Sequence, residues 1–93
     1  MKLVKNGVAG TTESGDIMIE IRPGKKKGIN VELTSTVANL FGEQIKKVII
    51  ETAKECGLDK VDIIANDKGS LDCTIRSRVT TAALRGSGEK FKW

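Results

Sequence analysis

Residues 16–22, DIMIEIR, place Ile17, Ile19 and Ile21 at every second position, with Asp16, Met18, Glu20 and Arg22 between them. A helix repeats about every 3.6 residues and would scatter those isoleucines around its axis. A strand with one dry and one wet face gathers them. Residues 29–34 repeat the pattern, with Ile29, Val31 and Leu33 against Asn30, Glu32 and Thr34. Pro23-Gly24 between the two runs is a turn signal, because proline presets φ and glycine admits the left-handed region. The chain is thereby committed to a sheet whose inner face is aliphatic, since aromatic residues make up only 3% of it.

The middle of the chain changes period. Val37, Leu40, Phe41, Ile45, Val48, Ile49, Thr52, Ala53 and Cys56 recur in steps of three and four, which predicts a helix with one buried stripe. Ser35 is the expected N-cap and Gly57 the expected C-terminal cap, with Gly42 a point of kinking or interruption. Alternation returns in residues 60–66, where Val61, Ile63 and Ala65 share a face, and Asp67-Lys68-Gly69 reads as a hairpin turn. Residues 71–79 fit two templates. Leu71, Cys73, Ile75, Ser77 and Val79 alternate as in a strand, while Leu71, Ile75 and Val79 are also four apart. The strand reading is taken here to residue 77.

The expected architecture is α+β. A mostly antiparallel sheet has strands near 8–12, 16–22, 29–34, 60–66 and 71–77. One long helix lies near 36–56 and a short C-terminal helix near 79–85. The 93 residues suit a single domain, 1–93, with residues 89–93, EKFKW, read as a mobile tail.

Composition narrows the function classes. No histidine occurs, which removes the usual general base near neutral pH, the Ser–His–Asp and Cys–His arrangements, and the commonest metal ligand. An autonomous enzyme is not expected. The two cysteines, Cys56 and Cys73, form no disulfide framework and read as small buried apolar residues. There is no apolar run long enough for a membrane span and no secretory h-region, so cytoplasmic residence is expected. The net charge of +4 raises nucleic-acid binding. Against it, 12 acidic residues are interspersed and base-stacking aromatics are nearly missing from the expected strands.

Glu13-Ser14-Gly15-Asp16 joins the first two expected strands as a turn, with Ser14 presented outward. By local pattern alone such a tetrapeptide is usually an ordinary turn. Its wider context is more specific. The segment AGTTESGDIMIEI, residues 9–21, resembles the N-terminal segment of the citrate lyase acyl carrier (gamma) subunit family. Val37 with Phe41-Gly42, the Ile45/Ile49 helix, the Asn66-Asp67-Lys68-Gly69 turn, Leu71-Asp72-Cys73 and Ile75-Arg76-Ser77-Arg78 extend the likeness along nearly the whole chain.

The resemblance implies that Ser14 carries a phosphoribosyl-dephospho-CoA group through a phosphodiester. The acylated thiol of that arm would then be processed by alpha (acyl transferase) and beta (citryl lyase) subunits. It also implies loading by a holo-citrate lyase synthase, while the composition leaves no nucleic-acid or membrane partner expected. Glu13, Gly15 and Asp16 become supporting turn residues: Gly15 leaves room for the transferase, while Glu13 and Asp16 orient the hydroxyl, cap turn amides, or help hold magnesium during transfer. The nearest rival is the carrier subunit of malonate decarboxylase, which uses the same type of group. Lys25, Lys26 and Lys27 raise a phosphate-contacting role, although a short charge run is more often a solvated loop.

Overall fold

The computed structural model describes residues 2–88. In chain order the elements are β1 (Gly7–Ala9), β2 (Ile17–Pro23), β3 (Ile29–Ser35), α1 (Ala38–Glu55), β4 (Val61–Asp67) and α2 (Asp72–Ser87). The four strands form one sheet in the order β1-β2-β4-β3. β2 pairs antiparallel with β1 and with β4, from Ile17 opposite Asp67 to Pro23 opposite Val61. β3 pairs parallel with β4, from Ile29 beside Val61 to Ser35 beside Asp67. The parallel pair is connected through α1, as a parallel connection requires a crossover.

The alternating isoleucines do what their spacing demands. Ile17, Ile19 and Ile21 are fully buried, and Val61, Ile63 and Ala65 face the same core from β4. Ile45, Val48, Ile49, Thr52 and Ala53 close that core from α1, and Ile75, Val79, Ala82 and Ala83 from α2. Both helices pack on one face of the sheet, α1 over β3 and α2 over β1 and β2. The α1 C-terminus closes as a Schellman motif: Gly57 N–H donates to Lys54 O at 2.9 Å and Leu58 N–H to Ala53 O at 3.1 Å.

Several expectations are corrected. Residues 71–77 are not a strand, and the short helix 79–85 is only the latter part of α2, which begins at Asp72. β4 already has β2 on one edge and β3 on the other, so no edge remains for a returning hairpin strand. The four-residue spacing prevails because it gathers Ile75, Val79, Ala82 and Ala83, whereas the period-2 reading would have buried Cys73 and Ser77, which are exposed. Cys73 is therefore not a core residue, and Cys56 is half-buried with its thiol pushed up by burial. Pro23-Gly24 does not close a β2–β3 hairpin; Gly24 N–H donates instead to Lys60 O at 2.6 Å, and β4 separates the two strands.

The first strand covers Gly7–Ala9 rather than 8–12. α1 starts at Ala38, two residues later than expected, and passes through Gly42 without a break. Ser35 is not its N-cap but the last residue of β3, and Leu40 and Phe41 are exposed instead of buried. The tail 89–93 lies outside the described residues.

One close approach sets the seat of α2. A Cβ on Gly7 would fall on the Ala82 carbonyl oxygen, so only glycine lets β1 lie this near the helix. The Gly86 carbonyl then accepts N–H bonds from Val4 and Lys5 at 3.0 and 3.1 Å. Among the described residues no helix is long and apolar enough to cross a membrane.

Candidate functional site

The Ser14 turn is held at the end of the sheet where β2 begins and β3 and β4 finish. Asp16 N–H donates to Glu13 O at 3.0 Å, closing the four-residue turn, and Gly15 sits at φ +83°, a conformation costly for any residue with a Cβ. The turn is tied to the loop after β4 by a reciprocal pair of backbone bonds. Gly15 N–H donates to Lys68 O at 2.7 Å, and Lys68 N–H donates to Asp16 O at 2.9 Å.

Two carboxylates fasten this end of the molecule. Asp16 Oδ2 accepts from Thr11 N–H and from the Thr11 hydroxyl at 3.0 and 2.7 Å, while Asp16 Oδ1 accepts from Ile17 N–H at 2.7 Å. Arg78, on α2, grips both oxygens, through Nε at 3.0 Å and Nη2 at 3.2 Å. The guanidinium, with Thr11 and Ile17 adding to it, holds the Asp16 carboxyl well below the usual carboxylate range. Asp67, fully buried, does the same for the neighbouring loop. It accepts from the Ser35 hydroxyl at 2.8 Å, from Gly69 N–H at 3.1 Å, from Ser70 N–H at 3.0 Å and from the Ser70 hydroxyl. Burial pushes this carboxyl up, but the Ser70, Ser35 and Gly69 donors outweigh it and leave it below its ordinary value.

Both groups have depressed pKa values in the folded protein, so their stabilisation is complete above the unfolded carboxylate value near about 4 and is lost as pH falls through and below it. The melting temperature is therefore expected to be flat from neutrality to about pH 5 and to drop below about pH 4. Asp16→Asn should melt lower at neutral pH yet lose less than the parent between those limits. Thermal melts followed by circular dichroism over that range check this; identical pH profiles for the two proteins would contradict it.

Within this frame Ser14 is exposed, and its hydroxyl makes no hydrogen bond to another described residue. The space beside it is open, since a Cβ on Gly15 would meet nothing within 4 Å. The four sequence candidates Glu13, Ser14, Gly15 and Asp16 thus lie in one turn, but their roles divide. Glu13 is exposed, with its N–H donating to Thr11 Oγ1 at 3.2 Å. Asp16 is the organiser of the turn, its oxygens engaged by Thr11, Ile17 and Arg78 rather than open to a magnesium ion. No group of three or more His, Cys, Asp or Glu side chains that could hold a metal occurs among the described residues.

Sequence reasoning gives Thr11 and Lys68 no role at the site, and it reads Arg76 and Arg78 as sharing one strand face, where they could pair with phosphate or simply lie exposed. Arg76 and Arg78 do not share a strand face. Both lie on α2, where Arg76 reaches Glu51 and Glu55 of α1 at 3.5 and 3.4 Å and Arg78 secures Asp16. A helical reading of residues 71–79 was the available signal. Lys25, Lys26 and Lys27 lie in the loop beyond the opposite end of β2, whose seven residues span roughly 20 Å, so they are remote from the Ser14 turn itself.

Comparison with known proteins adds a second line. The family model described as malonate decarboxylase delta subunit, of the ACP family, matches residues 4–86. The citrate lyase acyl carrier protein of Pectobacterium atrosepticum is 45% identical over 94 aligned positions, covering 100% of this chain and 97% of that protein. That of Streptococcus mutans is 45% identical, covering 100% of this chain and 92% of its own length. Citrate lyase acyl carrier protein 2 of Salmonella typhimurium is 42% identical, with 100% and 97% covered. With the whole chain covered at these identities, it belongs to the family of the citrate lyase acyl carrier proteins.

Proposed function

We propose that this chain is the non-catalytic acyl carrier subunit of a citrate lyase, with Ser14 as the anchor of a phosphoribosyl-dephospho-CoA arm. The observation that carries the reading is the Ser14 hydroxyl itself: exposed, unbonded within the described chain, and mounted on a turn fixed by the Lys68 backbone and the Asp16–Arg78 pair. Attachment of a bulky group needs an accessible oxygen and unobstructed approach, and the open space beside Gly15 meets that need. When bound, such an arm supplies the terminal thiol that bears the acyl group.

The residues here present and orient. Asp16 is a poor proton acceptor, because Arg78 and Thr11 stabilise its charged form, and the chain has no histidine. As the Ser14 oxygen forms the phosphodiester bond, the activated donor's P–O bond to its phosphate leaving group breaks, and the base that takes the Ser14 proton is assigned to the transferase, a holo-citrate lyase synthase in this reading. A rigid platform with a tethered thiol gives the alpha and beta subunits their substrate at an effective concentration in about the millimolar range, with no catalytic group needed on the carrier. The same reading makes residues 1–93 one carrier domain working in the cytoplasm, with neither nucleic acid nor membrane as partner.

A second reading, carrier of a malonate decarboxylase, is favoured by the description of the family model alone. The two are separated by offering the loaded chain to each assembly lacking its own carrier. Restored citrate cleavage without malonate decarboxylation is expected; the reverse would move the chain to the second class.

A further inference from the structure

Two of the large apolar side chains exposed on the described surface meet next to the loop that holds the Ser14 turn. Phe41 is 54% exposed and Leu71 71%. Phe41 and Leu71, with Val37, Ile45, Gly69 and Asp72, line a groove of about 390 Å³ between the start of α1 and the start of α2. Gly69 directly follows Lys68, whose carbonyl takes the Gly15 N–H, so groove and Ser14 are adjoining parts of one surface. Leaving aromatic and leucine side chains in water has a cost that a partner removes.

Resting on the Ser14 reading, we propose that this groove is the docking surface for the enzyme that transfers the nucleotide-type arm onto Ser14. Geometry selects this occupant over the subunits that process the arm. Those act on the far end of a long flexible tether and can meet the carrier anywhere within its reach. The transferase must bring its reacting centre to the Ser14 oxygen itself, and its footprint has to include the surface next to the turn. Charge complementarity agrees. A site that holds a phosphate-rich donor has a cationic mouth, and the exposed carboxylates at this end, Glu13 on the turn and Asp72 on the groove, suit it. The lysine run at residues 25–27 is at the opposite end of β2, so the molecule's basic excess does not mask these carboxylates. The one cation of the adjoining loop is Lys68, which is half-buried.

The test uses the full-length apo chain, the purified transferase of the same organism and its activated phosphoribosyl-dephospho-CoA donor, with loading followed by intact mass. The double variant Phe41→Ala/Leu71→Ala, whose fold is checked by its melting curve, should lose about tenfold or more in kcat/KM for loading, mainly through KM. Val8→Ala, an exposed apolar position on the other face of the sheet, should load like the parent. Once driven to full loading by prolonged incubation, the double variant should support citrate cleavage in the assembled complex within about twofold of the parent, since its tethered group is intact. Normal loading by the double variant overturns the proposal. A loss in citrate cleavage as large as the loss in loading also overturns it, and assigns the groove to the lyase subunits. A parent chain that takes no mass from the transferase fails at an earlier point: it removes the Ser14 reading itself.

Discussion

Ser14→Ala is expected to leave the domain folded and the citrate-cleaving complex inactive. The two halves of that expectation have separate physical grounds. The hydroxyl is exposed and bonds to no other described residue, and the turn is closed by backbone bonds from Gly15 and Asp16 that alanine at position 14 does not touch. The positive φ belongs to Gly15, so the substituted position carries no conformational demand peculiar to serine. Loss of stability should stay within about 0.5 kcal/mol. Activity, by contrast, depends in the proposed function on delivering the acyl group from a tether. Without an anchor the reaction reverts to an encounter with untethered material, and effective concentrations in about the millimolar range are forfeited. Turnover of the reconstituted complex should fall to that of a preparation lacking the carrier. Parent-like melting together with abolished turnover is the expected result, and retained turnover would contradict the anchor.

Ile19→Asp is expected to abolish cooperative folding. Ile19 is fully buried in the middle of β2, opposite Ala9 of β1 and Ala65 of β4, with no polar side chain in its facing positions. An unpaired carboxylate there costs several kcal/mol even after it takes up a proton. A chain of 93 residues has a total stability of about 5–14 kcal/mol, so the substitution removes a large part or all of it. The next residue supplies the contrast. Glu20 points to the opposite face, half-buried beside Arg22, and Glu20→Gln should shift stability by less than about 1 kcal/mol. Chemical denaturation of the two variants reads the difference. A cooperative transition for Ile19→Asp near that of the parent would show that the facing of β2 is wrong.

The parts of the fold that were legible in the sequence are those governed by a single period. Ile17, Ile19 and Ile21 announced a half-buried strand, and Ile45, Val48, Ile49 and Ala53 a helix stripe, because each set has only one geometry that buries it. The segment from Leu71 to Val79 satisfied both periods at once. What decided it was not local: β4 had no free edge, and the helical alternative completed its stripe with Ala82 and Ala83, beyond the ambiguous window. The partner of β3 was hidden for a similar reason. Pro23-Gly24 signals a turn truthfully but says nothing about which strand lies alongside, and insertion of β4 between β2 and β3 is a property of the whole sheet.

The site was legible in the same uneven way. Glu13, Ser14, Gly15 and Asp16 form a turn by their own chemistry, and their context resembled a carrier family. Thr11 and Arg78, which fix that turn, are respectively five residues before Asp16 and 62 after it, and only the folded chain brings the arginine there. Leu40 and Phe41 misled as core residues because they fit the helical stripe, yet the buried part of α1 begins only at Ile45 and both stay in solvent. For Phe41 that departure from the pattern places it on the groove proposed as a docking surface.

The most direct measurement is the mass of the peptide containing Ser14, taken from the active complex isolated from its own cells. A covalent addition of the mass of phosphoribosyl-dephospho-CoA, localised to Ser14 by fragmentation, is the predicted result. An unmodified Ser14 peptide in a complex that still cleaves citrate would contradict the account.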